Sequence, residues 1–140
     1  MADIALTAAQ VRPIDVSKCE IYDFIAAVTI TQGQAVYLLT AGTVGLADAN
    51  ASAPAPQFLG IALNGGGAGA AIAVFKRGRL AGLTVSGMNA GAKLYLSTTA
   101  GALADAATGT LAPVGMVVTM PDSTPTKVAF IDANWSVLYA

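Results

Sequence analysis

Short apolar runs separated by turn residues dominate the chain, and no apolar period of 3.6 residues is sustained. Such runs, rich in Val, Ile, Leu and Tyr and bounded by Gly, Pro, Asn or Asp, are typical of β-strands. Gly or Pro interrupts most windows long enough for a helix. The pattern predicts an all-β chain, a compact jelly-roll-like sandwich or barrel. Its predicted strands are 20–30, 35–39, 43–47, 58–63, 72–76, 80–85, 93–97, 102–105, 113–120, 127–131 and 135–139.

The strand-and-turn pattern occurs twice along the chain. The offset between matching residues falls from 58 (Gly33 to Gly91) to 55 (Gly60 to Gly115), as loop deletions would produce. We therefore predict a single β domain, 19–140, with an internal duplication of about 28–86 and 87–140. The matching segments are GQAVYLLTAGTVGLADA with GAKLYLSTTAGALADAA, PQFLGIAL with LAPVGMVV, and AVF with VAF.

Residues 1–18 have no counterpart in the repeat, and Pro13 blocks regular strand pairing at its position. We predict an extended N-terminal arm that adds a strand to a neighbour's sheet edge. The β core is expected to fold without this arm. Arg12, Pro13 and Ile14 are its candidate partner-binding residues, and a frayed terminus is the alternative.

A second candidate contact region is basic. Lys76, Arg77 and Arg79 supply three of the seven cations, and Gly78 between them predicts a hairpin tip. Such a tip is suited to docking on an acidic protein patch or on a phosphate backbone. The alternative is a solvated turn with no partner.

Composition narrows the function classes. Only 11% of residues are charged, so the exterior is largely neutral, which favours an assembly subunit covered by neighbours. The net charge of −1 argues against a nucleic-acid partner. The apolar stretch 49–75 contains Pro54, Pro56 and a glycine run, which argues against a membrane span.

Catalytic chemistry finds little support in the residues. The chain has no histidine, which removes the commonest general base, and a single cysteine, Cys19. We therefore predict no enzyme activity, no catalytic residues and no metal site. The loop 65–70 fits G-x-G-x-x-A, but a predicted strand follows it and no acid lies about 20 residues on, so no cofactor is predicted.

The two repeats resemble the capsid cement, or decoration, proteins of tailed bacteriophages. The pattern G-x-x-V-Y-L, a glycine turn, Ala-Asp-Ala and then G-I-A-L-N-G carries the resemblance, which covers Val28 to Ile131. The family pattern matches Gly33, Tyr37 and Gly60, and also Gly65, as fold-defining positions.

The resemblance implies a structural virion protein, made in the host cytoplasm, on the outer face of the assembled capsid. It implies a small β-barrel or jelly roll that cements neighbouring major capsid subunits as a homo-oligomer. We expect a homodimer, with a trimer as the alternative, because closed two-fold contacts are the commonest. The rival hypothesis is a β-barrel module of a tail or spike protein that binds a glycan or small ligand on an aromatic platform.

Overall fold

The computed structural model describes residues 2–49, 57–107 and 112–135. The described residues form strands, turns and two short 3-10 segments, and none of them is in an α-helix, so the all-β prediction is confirmed. The strands are β1 (Arg12–Pro13), β2 (Glu20–Ile25), β3 (Ala35–Leu38), β4 (Val44–Leu46), β5 (Gly60–Ala62), β6 (Ala71–Ala81), β7 (Lys93–Leu96), β8 (Leu103–Ala104), β9 (Gly115–Met120) and β10 (Ser123–Asp132).

The strands form one curled antiparallel sheet, a half-barrel, in the order β4-β3-β5-β6-β10-β9-β7-β8. Strand β6 is its central member. A residue in a strand can pair with one neighbour on each edge. Leu80 pairs with both β1 and β10, and Phe75 pairs with both β2 and β5, so the two strands in each case lie on opposite edges of β6. Since Arg77 likewise pairs with both β2 and β10, strands β1 and β2 lie along the same edge. Strands β5 and β10 follow one another along the other edge. The jelly-roll connectivity stays a prediction.

The two halves are built in the same way. Each has a hairpin, then a strand beside the first strand of that hairpin, then a long strand: β3–β4, β5, β6 and β7–β8, β9, β10. A Cβ built at Gly60 would overlap the carbonyl oxygen of Phe75, and one at Gly115 would overlap that of Phe130. The same close approach at matched positions supports our interpretation of the sequence as a duplication.

The two halves turn opposite faces towards the main core. In the first half Phe75 and Ile61 are fully buried in that core. Their counterparts in the second half, Phe130 and Met116, are half-buried on the outer face, and the neighbouring Ala129 fills the core instead. The halves therefore pack front to back: the first half contributes the face that carries Phe75, and the second half contributes the face opposite to the one that carries Phe130.

An irregularity in β6 makes this packing possible. Residues five apart in a regular strand point to opposite faces, yet Phe75 and Leu80 both enter the main core. Between them the pairing with β2 shifts register, next to Glu20, and Gly78 has a φ of +131°. A bulge of this kind re-aims the side chains that follow it.

Two strand predictions are wrong, and a third lies almost wholly outside the described residues. Lys76, Arg77 and Arg79 do not form a hairpin tip, because β6 runs without a turn through Gly78. The predicted strand 20–30 ends at Ile25. Of the predicted strand 135–139, residues 136–139 lie outside the described residues.

Residues 2–18 lie on the body of the same chain. Ile4 and Val11 belong to the main core, and the Ile4 amide donates to the Leu103 carbonyl at 2.8 Å. Strand β1 pairs with β6, so the strand addition predicted for a neighbour's edge is made within the chain. The structure thus argues against a core that folds unchanged without this segment, since two core side chains would leave with it.

A polar contact anchors the start of this segment. The Asp3 carboxylate accepts a hydrogen bond from the hydroxyl of Ser97, a fully buried residue next to β7. Nearby, the Ala2 amide donates to Asp105 Oδ1 at 2.9 Å. Hydrogen bonds from the side chains of Ser97 and then Thr99 hold the pKa of Asp3 below its usual value.

We expect this anchor to weaken in acid. A carboxylate whose pKa is depressed in the folded state contributes stability that is present above its unfolded pKa, about 3.9. That contribution is lost as pH falls through the lower folded value, so the melting temperature should drop there. Asp3→Asn should flatten this part of the profile, as measured by thermal unfolding from neutral pH to pH 2. Identical profiles for the two proteins would contradict the assignment.

Candidate functional site

Several large apolar side chains are exposed, and three of them meet around one groove. Tyr22, Leu38 and Trp135 are 40 to 43% exposed, so a large part of each apolar side chain is in contact with water. We call this feature the aromatic groove, a cleft of about 340 Å³ next to the smaller buried cluster of the first half. Its lining residues are Phe24, Leu38, Gln57, Phe58, Leu59 and Trp135.

Trp135 is held in place at the rim of the aromatic groove. Its indole Nε1 donates to the Leu59 carbonyl at 2.8 Å. The Tyr22 ring lies 5.0 Å from it at a 58° tilt, and the Phe24 ring lies 6.1 Å away, edge on. Tyr22 and Phe24 share a face of β2 because side chains alternate along a strand. The groove therefore presents fixed aromatic surface to the solvent.

A cation and a carboxylate complete the rim. Lys76 Nζ lies 5.0 Å from the centroid of the Trp135 ring, within the range of a cation–π contact. The same ammonium lies 3.4 Å from Glu20 Oε1. These contacts hold the lysine side chain in place, and the charge of Glu20 offsets the charge of Lys76 at the rim.

The second surface lies on the outer face of the second half. Directly paired residues of four adjacent strands form a line across β6, β10, β9 and β7, which we call the basic row. Lys93 Nζ lies 3.4 Å from the sulfur of Met116. A groove of about 260 Å³ opens over three residues of the row, Phe130, Met116 and Lys93, and Asp132 also lines it. The row consists of Arg79, Phe130, Met116 and Lys93.

The structure places the two sets of residues predicted to bind partners next to each other on β1 and β6, where the Ile14 amide donates to the Arg79 carbonyl at 3.0 Å. Arg12 (exposed), Pro13 and Ile14 (both half-buried) lie on or next to β1. Of the basic residues, Lys76 lies on the rim of the aromatic groove, whereas Arg79 belongs to the basic row. The partner-binding role of all six residues stays a prediction.

Arg77 is the sixth of these residues and lies beside the basic row. Its Nε is 3.7 Å from Asp132 Oδ1, and the two residues are direct partners across β6 and β10. The three neighbouring cations of the sequence thus face different surroundings.

Sequence reasoning missed Tyr22 and Trp135. The pattern Tyr22-x-Phe24 is a usable signal, since it places two aromatic rings on one face of a strand. The contact with Trp135 joins residues more than a hundred positions apart, so no local pattern reveals it.

The described residues offer few reactive groups. Within 2–49, 57–107 and 112–135, no three His, Cys, Asp or Glu side chains come together as metal ligands. Burial, with a smaller contribution from Asp15, raises the pKa of the Cys19 thiol, which favours its unreactive protonated form. No helix in the described part of the chain is long and apolar enough to cross a bilayer.

Comparison with known proteins gives no relative to reason from. No family model matches the chain, and no curated protein or solved structure does either.

Proposed function

We propose that this chain is a structural virion protein that binds the outer surface of an assembled phage capsid and cements neighbouring major capsid subunits. Its repeated sequence resembles the capsid cement proteins, and the aromatic groove is the observation that carries the proposal. The protein works by binding alone, as a homo-oligomer for which a dimer is favoured over a trimer.

The aromatic groove has the properties of a protein contact site. Trp and Tyr are the residue types that dominate binding energy at interfaces, above all where they are held rigid before binding. Trp135 is fixed by its bond to Leu59 and by the Tyr22 ring. Docking would bury the exposed fractions of these rings and of Leu38, which are apolar surface that water now covers.

A cement role also follows from mass action. A protein that binds only the assembled shell stabilises that shell by an amount that grows with its free concentration. A standard interface buries about 1,600 Å² in total, and a shell repeats it many times. Moderate affinity per copy is therefore sufficient.

We expect Leu38→Glu to weaken attachment to the shell by at least about tenfold, because it places a carboxylate in an apolar contact. The measurement is occupancy of purified heads that lack the protein, as a function of added protein. The matched control is Val16→Glu, a change at a 62% exposed valine outside the groove lining. Equal attachment of both variants would rule out the groove as the contact site, and no attachment of the wild type would refute the proposed function.

The rival function, a glycan- or ligand-binding module, gains one specific observation. Aromatic faces at the rim of a groove are a platform on which sugar rings can stack, and Trp135 and Tyr22 supply it. Against this, Lys76 already lies over the Trp135 ring and Tyr22 packs on it. Binding of the isolated protein on a glycan array, abolished by Trp135→Ala, would favour the rival function.

A further inference from the structure

The duplication places the same cross-strand row at two sites in the molecule. In each row the central pair is a phenylalanine beside a long aliphatic side chain, on matched strands. The two rows differ at their ends, where the first has apolar residues and the second has cations. The first row is Ile21, Phe75, Ile61 and Ala35; the second is the basic row, Arg79, Phe130, Met116 and Lys93.

The first row is a sheet face of this kind that is already covered by another part of the protein. Phe75, Ile61 and Ala35 are fully buried, because the second half of the chain packs on them. The basic row has no such cover among the described residues: Phe130 and Met116 are half-buried below an open groove of about 260 Å³. The apolar centre of the row is thus available to a further element.

The charges around the row indicate that such an element would carry negative charge. Arg77, Arg79 and Lys93 lie on this face, and the described carboxylates next to them are both already beside a cation: Asp132 lies beside Arg77, and Glu20, which pairs with Arg77 from β2, lies 3.4 Å from Lys76. Arg79 Nε is buried without a hydrogen-bond acceptor. That atom is shielded from solvent, so a ligand carboxylate would pair with the accessible part of the guanidinium. The complementary ligand has an acid at each end and an apolar group between them.

Strand geometry sets the spacing of those groups. Adjacent strands lie about 4.8 Å apart, so the row from Arg79 to Lys93 spans three spacings, about 14 Å. Residues i, i+2 and i+4 of an extended segment point to one side and cover about 13 Å. We propose that the basic row is a docking site for an extended segment of another protein with the pattern acid-x-apolar-x-acid.

A second copy of this chain does not supply that pattern. Its acidic residues are at positions 3, 15, 20, 23, 48, 105, 122 and 132, and no two of them are four residues apart. The occupant is therefore a different protein. This inference goes beyond the proposed function, and it names a site that does not depend on the aromatic groove.

The test is a titration of the isotope-labelled protein with short peptides, followed by amide chemical shifts. The probe is Gly-Asp-Ala-Leu-Ala-Asp-Gly, and its neutral control replaces both aspartates by asparagine. We expect saturable shifts confined to Arg79, Phe130, Met116, Lys93 and their strand neighbours. Binding of the neutral control should be weaker by about tenfold or more, because both charge contacts are lost.

Charge reversal sharpens the test. Lys93→Glu should weaken binding of the acidic probe about tenfold, whereas Lys18→Glu, an equal charge change at an exposed lysine, should not. The swapped peptide Gly-Lys-Ala-Leu-Ala-Asp-Gly should bind Lys93→Glu better than the original probe does.

The proposal is overturned if the acidic probe shifts no residue of the row, if its neutral control binds equally well, or if the swapped peptide fails to favour Lys93→Glu. Thermal unfolding of each variant shows that the fold is kept. Because the assay contains no capsid, its result is the same whether or not the protein decorates a head.

Discussion

Phe75→Ala is expected to lower the free energy of unfolding by about 3–5 kcal/mol, the range for a fully buried phenylalanine. Phe130→Ala, at the matched position of the second half, should lower it by only about 1 kcal/mol. The two residues end the matched segments AVF and VAF, on the long strands β6 and β10. They differ because Phe75 is 0% exposed in the main core, whereas Phe130 is half-buried on the outer face.

Equilibrium unfolding in urea, monitored by far-ultraviolet circular dichroism, measures both values. It should be done at a protein concentration where the wild type is monomeric, so that burial of Phe130 in an oligomer does not contribute. Similar losses at the two positions would show that the halves pack symmetrically, and the front-to-back arrangement would then be wrong.

Gly115→Ala should lower the free energy of unfolding by about 3 kcal/mol, at the upper end of the range for overpacking. An added Cβ would overlap the carbonyl oxygen of Phe130, and a main-chain atom cannot rotate away as a side chain can. The strands β9 and β10 must separate locally to admit the methyl group. Gly60→Ala is expected to behave in the same way, because its Cβ would meet the carbonyl oxygen of Phe75.

The control for both glycines is Gly67→Ala, where no atom lies within 4 Å of the added Cβ. This variant should remain within about 0.5 kcal/mol of the wild type, as surface substitutions usually do. Urea midpoints for the three variants give the comparison. A Gly115→Ala protein as stable as Gly67→Ala would show that β9 and β10 are not as close as the structure places them.

Most of the strands could be predicted from the sequence, because they are local signals. Ala35–Leu38 and Lys93–Leu96 are short apolar runs closed by glycine turns, and their structures follow the prediction closely. The error at Gly78 has a physical cause. Glycine occurs in turns and in bulges, because both need backbone conformations that other residues rarely adopt. In this protein the pairing of β6 on both edges keeps the strand continuous through Gly78, which a local sequence pattern cannot reveal.

The candidate surfaces were harder to predict, because each is assembled from distant residues. The hypothesis of one basic cluster treated Lys76 and Arg79 as neighbours in space. In the structure Lys76 contacts the Trp135 ring, whereas Arg79 is the direct partner of Phe130 across β6 and β10. Similarly, the alternation within 20–25 predicts two aligned aromatic rings, but only the fold brings Trp135 to them.

The central position of β6 has a consequence for how the chain folds. This strand pairs with β1 and β2, which precede it by some fifty residues or more, and with β10, which follows it by a similar distance. High contact order of this kind slows folding, because the entropy cost of closing long loops comes before the free energy gained from strand pairing. Neither repeat can complete its sheet alone, so the two are bound to gain and lose their structure in one cooperative transition.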